Sequence, residues 1–238
     1  EQSKLRNVIP EDRRMGFPVR EIIETLADKE SFLELKKVFG RSVITGFIRL
    51  EGRPFALIAS DCQQLGGAID SEASDKVANF LEICNLHNLP IISLVDTPGF
   101  MVGPESETEG AFRRMGNFFK RGAKVDSPLV AIILRRGYGL GAMAMTGGSF
   151  VDPIYTASWP NGEFGGMGLE GYVKLGFKKE LAAEETEEKR NALYEKLLAK
   201  MYEVGKATEA ASYLEMDAVI DPIETRKVII KAFETFGA

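Results

Sequence analysis

An α/β domain built on a mainly parallel sheet is predicted by three features of this sequence. Aliphatic runs at 91–95 and 129–134 have the length and composition of buried strands. Helix-period segments follow them, and such alternation implies right-handed crossovers between parallel neighbours. Glycine turns leave the carboxyl ends of both runs, Asp96-Thr97-Pro98-Gly99-Phe100 and Arg135-Arg136-Gly137-Tyr138-Gly139-Leu140-Gly141-Ala142, where open parallel sheets hold their ligands.

In chain order, the polar opening with Pro10 and Pro18 reads as a linker over 1–18, and one domain follows over 19–238. Ile22, Ile23 and Leu26 have helical spacing. The β-rich runs 42–50 and 54–60 flank Glu51-Gly52-Arg53, a hairpin pattern. After the turn at Gly66-Gly67, Asp70 or Ser71 caps a helix reaching about Asn88, with Val77, Phe80, Leu81 and Cys84 as its buried stripe. Pro90 ends it before the 91–95 strand. Glu105, Glu107 and Glu109 precede a helix that turns Met115, Phe118 and Phe119 inward and ends near Ala123. Beyond the second glycine turn, 154–158 is a strand. Residues 159–171 are too rich in glycine for a regular element and too apolar for a solvated linker, so they read as a loop lining a pocket. The charged helix over 183–204 carries Leu193, Tyr194, Leu197, Leu198 and Met201 on one face, for docking on a neighbour or for simple surface packing. Thr208 caps another helix, 217–220 is a short strand, and a last amphipathic helix over 223–236 starts after Pro222.

Composition excludes several functions. The net charge of -5 argues against a nucleic-acid surface, and no apolar run nears the roughly 20 residues of a membrane helix. Glu1-Gln2-Ser3-Lys4 has neither an initiator Met nor a signal-peptide core, as in a processed product or fragment. Cys62 and Cys84 lack metal or redox spacing, which suits a reducing compartment and apolar packing. Asp96-Thr97-Pro98-Gly99 looks like a GTPase loop, but no phosphate-cradling Gly-Lys loop precedes it. The acidic run at 105–109 is ordinary for a helix start, so no metal site is expected. His87 is the single histidine, near a helix end, and neither Ser149 nor Ser158 sits in a Gly-x-Ser-x-Gly elbow. A chain so poor in placed bases and so rich in glycine turns suits chemistry done by backbone electrostatics and a cofactor. The glycines of 137–141 fit an oxyanion-binding helix start and equally fit close helix-on-strand packing.

Asp96-Thr97-Pro98-Gly99-Phe100, the stretch from Arg135 to Met145, Trp159-Pro160, Met167-Gly168-Leu169-Glu170-Gly171 and Met216-Asp217-Ala218-Val219-Ile220-Asp221-Pro222 together resemble the carboxyl-terminal half of the carboxyltransferase β subunit of biotin-dependent acyl-CoA carboxylases, of the propionyl-CoA and acetyl-CoA type. The resemblance runs from about Val8 to the end. It implies a crotonase-like α/β fold of ββα repeats. It also implies an amino-terminal half that binds acyl-CoA, a biotinylated carrier protein, a homo-oligomer, and a cytoplasmic location or, in a eukaryote, the mitochondrial matrix. This half would face carboxybiotin, with the acyl-CoA held across a subunit boundary.

Carried over residue by residue, the resemblance places the oxyanion donors on the backbone of Leu140 and Gly141, or one residue later on Gly141 and Ala142, because relatives with Gly-Gly-Ala differ from the Gly-Leu-Gly-Ala found here. Gly139, Trp159, Met167, Gly168, Leu169 and Glu170 would shape the biotin cleft, and Met143 would face an apolar acyl group. The implied chemistry is CO2 release from carboxybiotin, uptake of the thioester α proton by the ureido oxygen, and attack of the enolate on CO2. A decarboxylase or transcarboxylase subunit shares these motifs, and a noncatalytic partner-binding fragment is the reading from a different class.

Overall fold

The computed structural model of the chain describes residues 2–103 and 110–237. Glu105, Glu107 and Glu109 lie outside them. Strand β1 (Leu33–Leu35) pairs antiparallel with β2 (Val43–Leu50), which pairs antiparallel with β3 (Arg53–Ser60). Leu50 faces Arg53, so the loop is Glu51-Gly52, with φ of 53° and 78°. Positive φ at both positions is the type I′ hairpin geometry that matches strand twist. From β3 onward the sheet is parallel through β4 (Ile91–Thr97), β5 (Leu129–Tyr138), β6 (Tyr155–Ser158) and β8 (Ala218–Val219), while β7 (Glu163–Gly165) pairs with the far end of β5.

The strands are buried on both faces. Val130, Ile132 and Leu134 face one core with Phe55, Leu57, Ile92 and Leu94; Leu129, Ala131 and Ile133 face the other with Ala56, Ile58 and Val95. Period two along a fully apolar run is what a central parallel strand requires. The first core is covered by α1 (Val19–Leu26) and α9 (Thr225–Phe236), and the second by α2 (Ser71–Leu86), α3 (Ala111–Gly122) and α4 (Gly139–Met145). Asp70 caps α2 as expected, its carboxylate accepting from the Ala73 N–H at 2.8 Å. Beyond β7 come α5 (Leu169–Gly176), α6 (Lys178–Ala183), α7 (Glu187–Val204) and α8 (Ala207–Ser212). No residue of α7 is buried; its apolar face is half-covered at Leu193, Tyr194, Leu197, Leu198 and Met201. No helix among the described residues is long and apolar enough to cross a membrane.

Four expectations need correction. The opening is no solvated linker: Gln2–Asn7 is a 3-10 helix that buries Leu5, and Phe17 is fully buried. The 159–171 stretch is not all loop, because β7 and the start of α5 fall within it. Thr208 is not a cap, since Lys206 takes that position in α8 and supplies no side-chain bond. Both central strands also run longer than their aliphatic cores, to Thr97 and Tyr138. The turns after them are therefore shorter than the sequence suggested.

Candidate active site

The last residues of β4 and β5 are polar yet buried, and a register shift explains how. Val95 pairs with Ile133, but Thr97 pairs with Gly137, so β5 bulges across Leu134, Arg135 and Arg136. In a regular strand adjacent side chains point to opposite faces; a bulge re-aims them. Here both arginines reach Asp96, which is fully buried. Its carboxylate accepts from Arg135 Nη2 at 2.9 Å, from Arg136 Nε and Nη2 at 2.8 and 2.9 Å, and from the Arg136 backbone N–H at 2.9 Å. Burial pushes this carboxyl up, and the hydrogen bonds and charges of Arg136 and Arg135 outweigh it, holding Asp96 below the usual carboxylate range. Arg135 also donates to Met15 O at 2.9 Å and lies over the Phe17 ring, which is what packs the amino-terminal segment.

Three glycine turns meet beyond these strand ends. Thr97 Oγ1 donates to Gly67 O at 2.7 Å, and Ile69 N–H donates to Gly99 O at 3.0 Å, fixing the Pro98-Gly99-Phe100 turn. Gly139 starts α4 at φ 61°, and a Cβ there would lie 2.8 Å from Gly166 O. A Cβ on Gly141 would lie 2.7 Å from the Gly99 carbonyl carbon and 2.8 Å from Phe100 N. Glycine is thus required at 139 for backbone conformation and close approach, and at 141 for close approach alone. Tyr138, the cap residue of α4, gives no side-chain bond to the first-turn N–H groups; its hydroxyl donates instead to Glu163 Oε2 at 2.8 Å.

A cleft of about 720 Å³ opens where the turns meet. Its walls are Pro98, Gly99, Phe100 and Val102; Phe112, Met115, Gly116, Phe119 and Lys120 of α3; Gly139 and Leu140; and Gly166, Met167 and Gly168. The lining is apolar apart from Lys120 and backbone groups, as small-molecule sites are. A hollow of similar volume lined by Gln2, Lys4, Glu21, Glu24, Thr25 and Asp28 has charged walls and no glycine turn, so it lacks the features of the predicted site.

Of the residues expected at the site, Gly139, Leu140, Met167 and Gly168 come together on this cleft. Gly141 and Ala142 lie buried behind it in α4. Leu169 is buried and packs against Gly165 and Gly205, anchoring the 166–168 wall from beneath. Glu170 accepts a hydrogen bond from the Tyr202 hydroxyl and lines a smaller polar cavity that shares Pro98 and Gly168 with the cleft. One placement corrects the sequence reading. Trp159 is 1% exposed in the opposite core, with Nε1 donating to Thr225 Oγ1 at 2.8 Å, so it shapes no cleft. Met143 is half-buried one helical turn beyond Gly139 and Leu140 in α4, and it is not among the residues that line the cleft.

Sequence reasoning missed the Asp96, Arg135 and Arg136 cluster and the α3 wall. It also missed a second network, in which Glu163 takes both Tyr138 and Arg13, and Arg13 stacks 3.9 Å above the Tyr202 ring. One signal was available: two adjacent arginines ending an aliphatic strand need a carboxylate, and Asp96 ends the neighbouring strand. His87 is exposed at the carboxyl end of α2 and belongs to none of these groups. In an assembled enzyme, His87→Gln should hold kcat within about threefold, far from the 10²-fold or larger loss of a missing acid or base. A hundredfold fall with the fold intact would restore a histidine mechanism.

The family model described as Carboxyl transferase domain matches residues 1–236. The chain is 32% identical over 236 residues to the methylmalonyl-CoA carboxyltransferase 12S subunit of Propionibacterium freudenreichii subsp. shermanii, covering 99% of the chain and 44% of that subunit. It is 32% identical over 231 residues to the biotin-dependent long chain acyl-coenzyme A carboxylase beta4 subunit of Mycobacterium tuberculosis, covering 96% and 44%. A solved single-chain, multi-domain long-chain acyl-CoA carboxylase superposes with a TM-score of 0.88 at 47% identity, over 98% of this chain and 23% of that one. The transcarboxylase 12S crystal structure, described as a hexamer assembly, gives 0.90 at 29% identity, over 98% and 44%. The chain therefore spans under half the length of these curated relatives. The α/β fold is the crotonase-like one of carboxyltransferase β subunits.

Proposed function

The chain belongs to the carboxyl transferase family, and from that premise we propose that it forms the carboxybiotin side of an acyl-CoA carboxyltransferase site. The observation that carries this reading is the apolar cleft at the start of α4, where an uncapped helix start adjoins the 98–100 and 166–168 turns. An apolar ring system fits such walls. Carboxybiotin, brought by a biotinylated carrier protein, would supply CO2 and a ureido oxygen that takes up the α proton of the acyl thioester.

The remaining work falls to this chain's backbone. N–H groups of Leu140 and Gly141 would stabilise the negative charge on the ureido oxygen, in a pocket that keeps water away and strengthens each donor. Leu140 lining the cleft, with Ala142 buried behind it, supports this pair over Gly141 and Ala142. Gly166, Met167 and Gly168 would hold the ring against the turn. The polar cluster behind keeps the turns in register: Asp96 clamps the β5 bulge, and Glu163 holds Tyr138 one residue before the helix.

Val102, Phe112 and Leu140 are 76%, 66% and 62% exposed around the cleft, an apolar rim suited to cover by a second surface. An amino-terminal half that holds acyl-CoA, supplied by another subunit, is the proposed cover. The 238-residue chain alone should then transfer no labelled carboxyl group from a carboxylated biotin carrier to propanoyl-CoA or longer acyl-CoA. Addition of the amino-terminal half should restore transfer. Turnover by the isolated chain would overturn the shared-site reading, and failure of the assembled protein with every acyl-CoA would overturn the carboxyltransferase itself.

A further inference from the structure

We propose that Gly116 sets the length of acyl chain the cleft accepts, an inference that rests on the carboxyltransferase reading above. Helix α3 carries two faces. Ala111, Met115, Phe118 and Gly122 are buried, and Phe112, Met115, Gly116 and Phe119, spaced i, i+3, i+4 and i+7, line the cleft, with Met115 common to both faces. Three bulky apolar side chains thus surround one position with none. Gly139 and Gly141 have a local reason, since a Cβ on either would strike backbone, and Gly99 has one in its φ of 116°; Gly166 and Gly168, on the side of the cleft assigned to the biotin ring, share with Gly116 the lack of one. Gly116 has none: its backbone is helical, its φ is not positive, and an added Cβ meets no described atom within 4 Å.

Glycine in an open helix interior weakens the helix. What it provides at 116 is space, a recess in the apolar wall between Phe112 and Phe119. The occupant follows from the geometry of the proposed reaction. With the biotin ring held on the 166–168 side and the reacting carbon near Gly139 and Leu140, the α3 wall is the side of the cleft left for the chain beyond that carbon. Lys120 is the one charged side chain among the described lining residues, so a long unbranched hydrocarbon is the substrate class this wall accommodates.

The test is a series of acyl-CoA substrates from propanoyl to hexadecanoyl with the assembled enzyme, wild type and Gly116→Leu. Filling the recess should lower the hexadecanoyl to propanoyl ratio of kcat/KM by at least about tenfold, the lower end of what one methylene is worth in an apolar pocket. Gly116→Ala should move the ratio less. Both substitutions favour helix, so melting no lower than wild type separates lost space from lost folding. An unchanged ratio, or a parallel fall for both substrates, overturns the inference while wild-type transfer keeps the carboxyltransferase reading intact. If wild type carboxylates no acyl-CoA, that reading fails, and calorimetric binding of hexadecanoyl-CoA decides here: tenfold weaker binding to Gly116→Leu upholds the recess, and equal binding overturns it. A changed oligomeric state in Gly116→Leu would identify the wall as a subunit interface and also overturn it.

Discussion

Asp96→Ala should lower the stability of the folded chain by about 3–5 kcal/mol, because breaking a buried ion pair from one side leaves the other charge uncompensated. Asp96 is fully buried, and Arg135 and Arg136 keep only 4% and 19% of their side chains exposed. For a chain of this size the loss corresponds to a fall in Tm of roughly 6–20 °C. Transfer activity should fall with it, since the same carboxylate holds the β5 bulge that leads into Gly139. Asp96→Asn keeps the shape and removes the charge, so it should lie between. The pH dependence has a definite sign. With a folded pKa held below the ordinary carboxylate value of about 3.9, Asp96 contributes fully above that value, and its contribution is lost as pH falls through the folded pKa. The stability gap between wild type and Asp96→Asn should therefore be constant near neutral pH and narrow below about pH 4. A scanning calorimetry trace of Asp96→Ala within 2 °C of wild type, roughly half a kcal/mol to one, would show that the cluster holds nothing together.

Local chemistry made much of this fold legible. The Glu51-Gly52 hairpin, the Asp70 cap and the apolar runs of β4 and β5 are each specified by residues adjacent in sequence. The cleft's turns were legible for a related reason: positive φ or close backbone approach needs glycine, and glycine marks itself at 99, 139 and 141. What escaped depends on contacts distant in sequence. Met15 and Phe17 are held by Arg135, 120 residues away, so nothing in the polar opening shows that it is packed. Strand β7 is three residues long and exists because the extended end of β5 offers it a partner. Trp159 stands among glycines and prolines that suggest a ligand loop, yet it follows the buried end of β6 and finds its hydroxyl partner in Thr225. Family likeness pointed to it for the wrong reason, since a tryptophan that fixes the fold can recur as regularly as one that touches a ligand.

The α3 wall escaped because its helix carries two overlapping stripes. Met115 and Phe118 sufficed to orient the helix inward, and Phe112 and Phe119 then looked like ordinary flanking residues. Only the position of α3 beside the 98–100 turn turns them into lining groups.

The oxyanion assignment stands or falls with one backbone atom. Leu140 is 62% exposed at the cleft, so its side chain contributes little to the core while its N–H sits in the first turn of α4. Leu140→Pro would delete that donor, but Gly139 at φ 61° precedes it, and residues before proline are pressed toward extended backbone. Replacing Leu140 with its α-hydroxy acid exchanges N–H for an ester oxygen and leaves the side chain and Gly139 as they are. In the assembled enzyme this change should reduce kcat by roughly 10²- to 10³-fold, or about 2.7–4 kcal/mol in the barrier, the effect of losing one oxyanion donor. Leu140→Ala keeps the N–H and should cost much less. If the folded ester protein transfers carboxyl groups at near wild-type rate while the same exchange at Ala142 abolishes transfer, the donors lie one residue later; if neither exchange slows it, the start of α4 is a packing device and the oxyanion assignment is wrong.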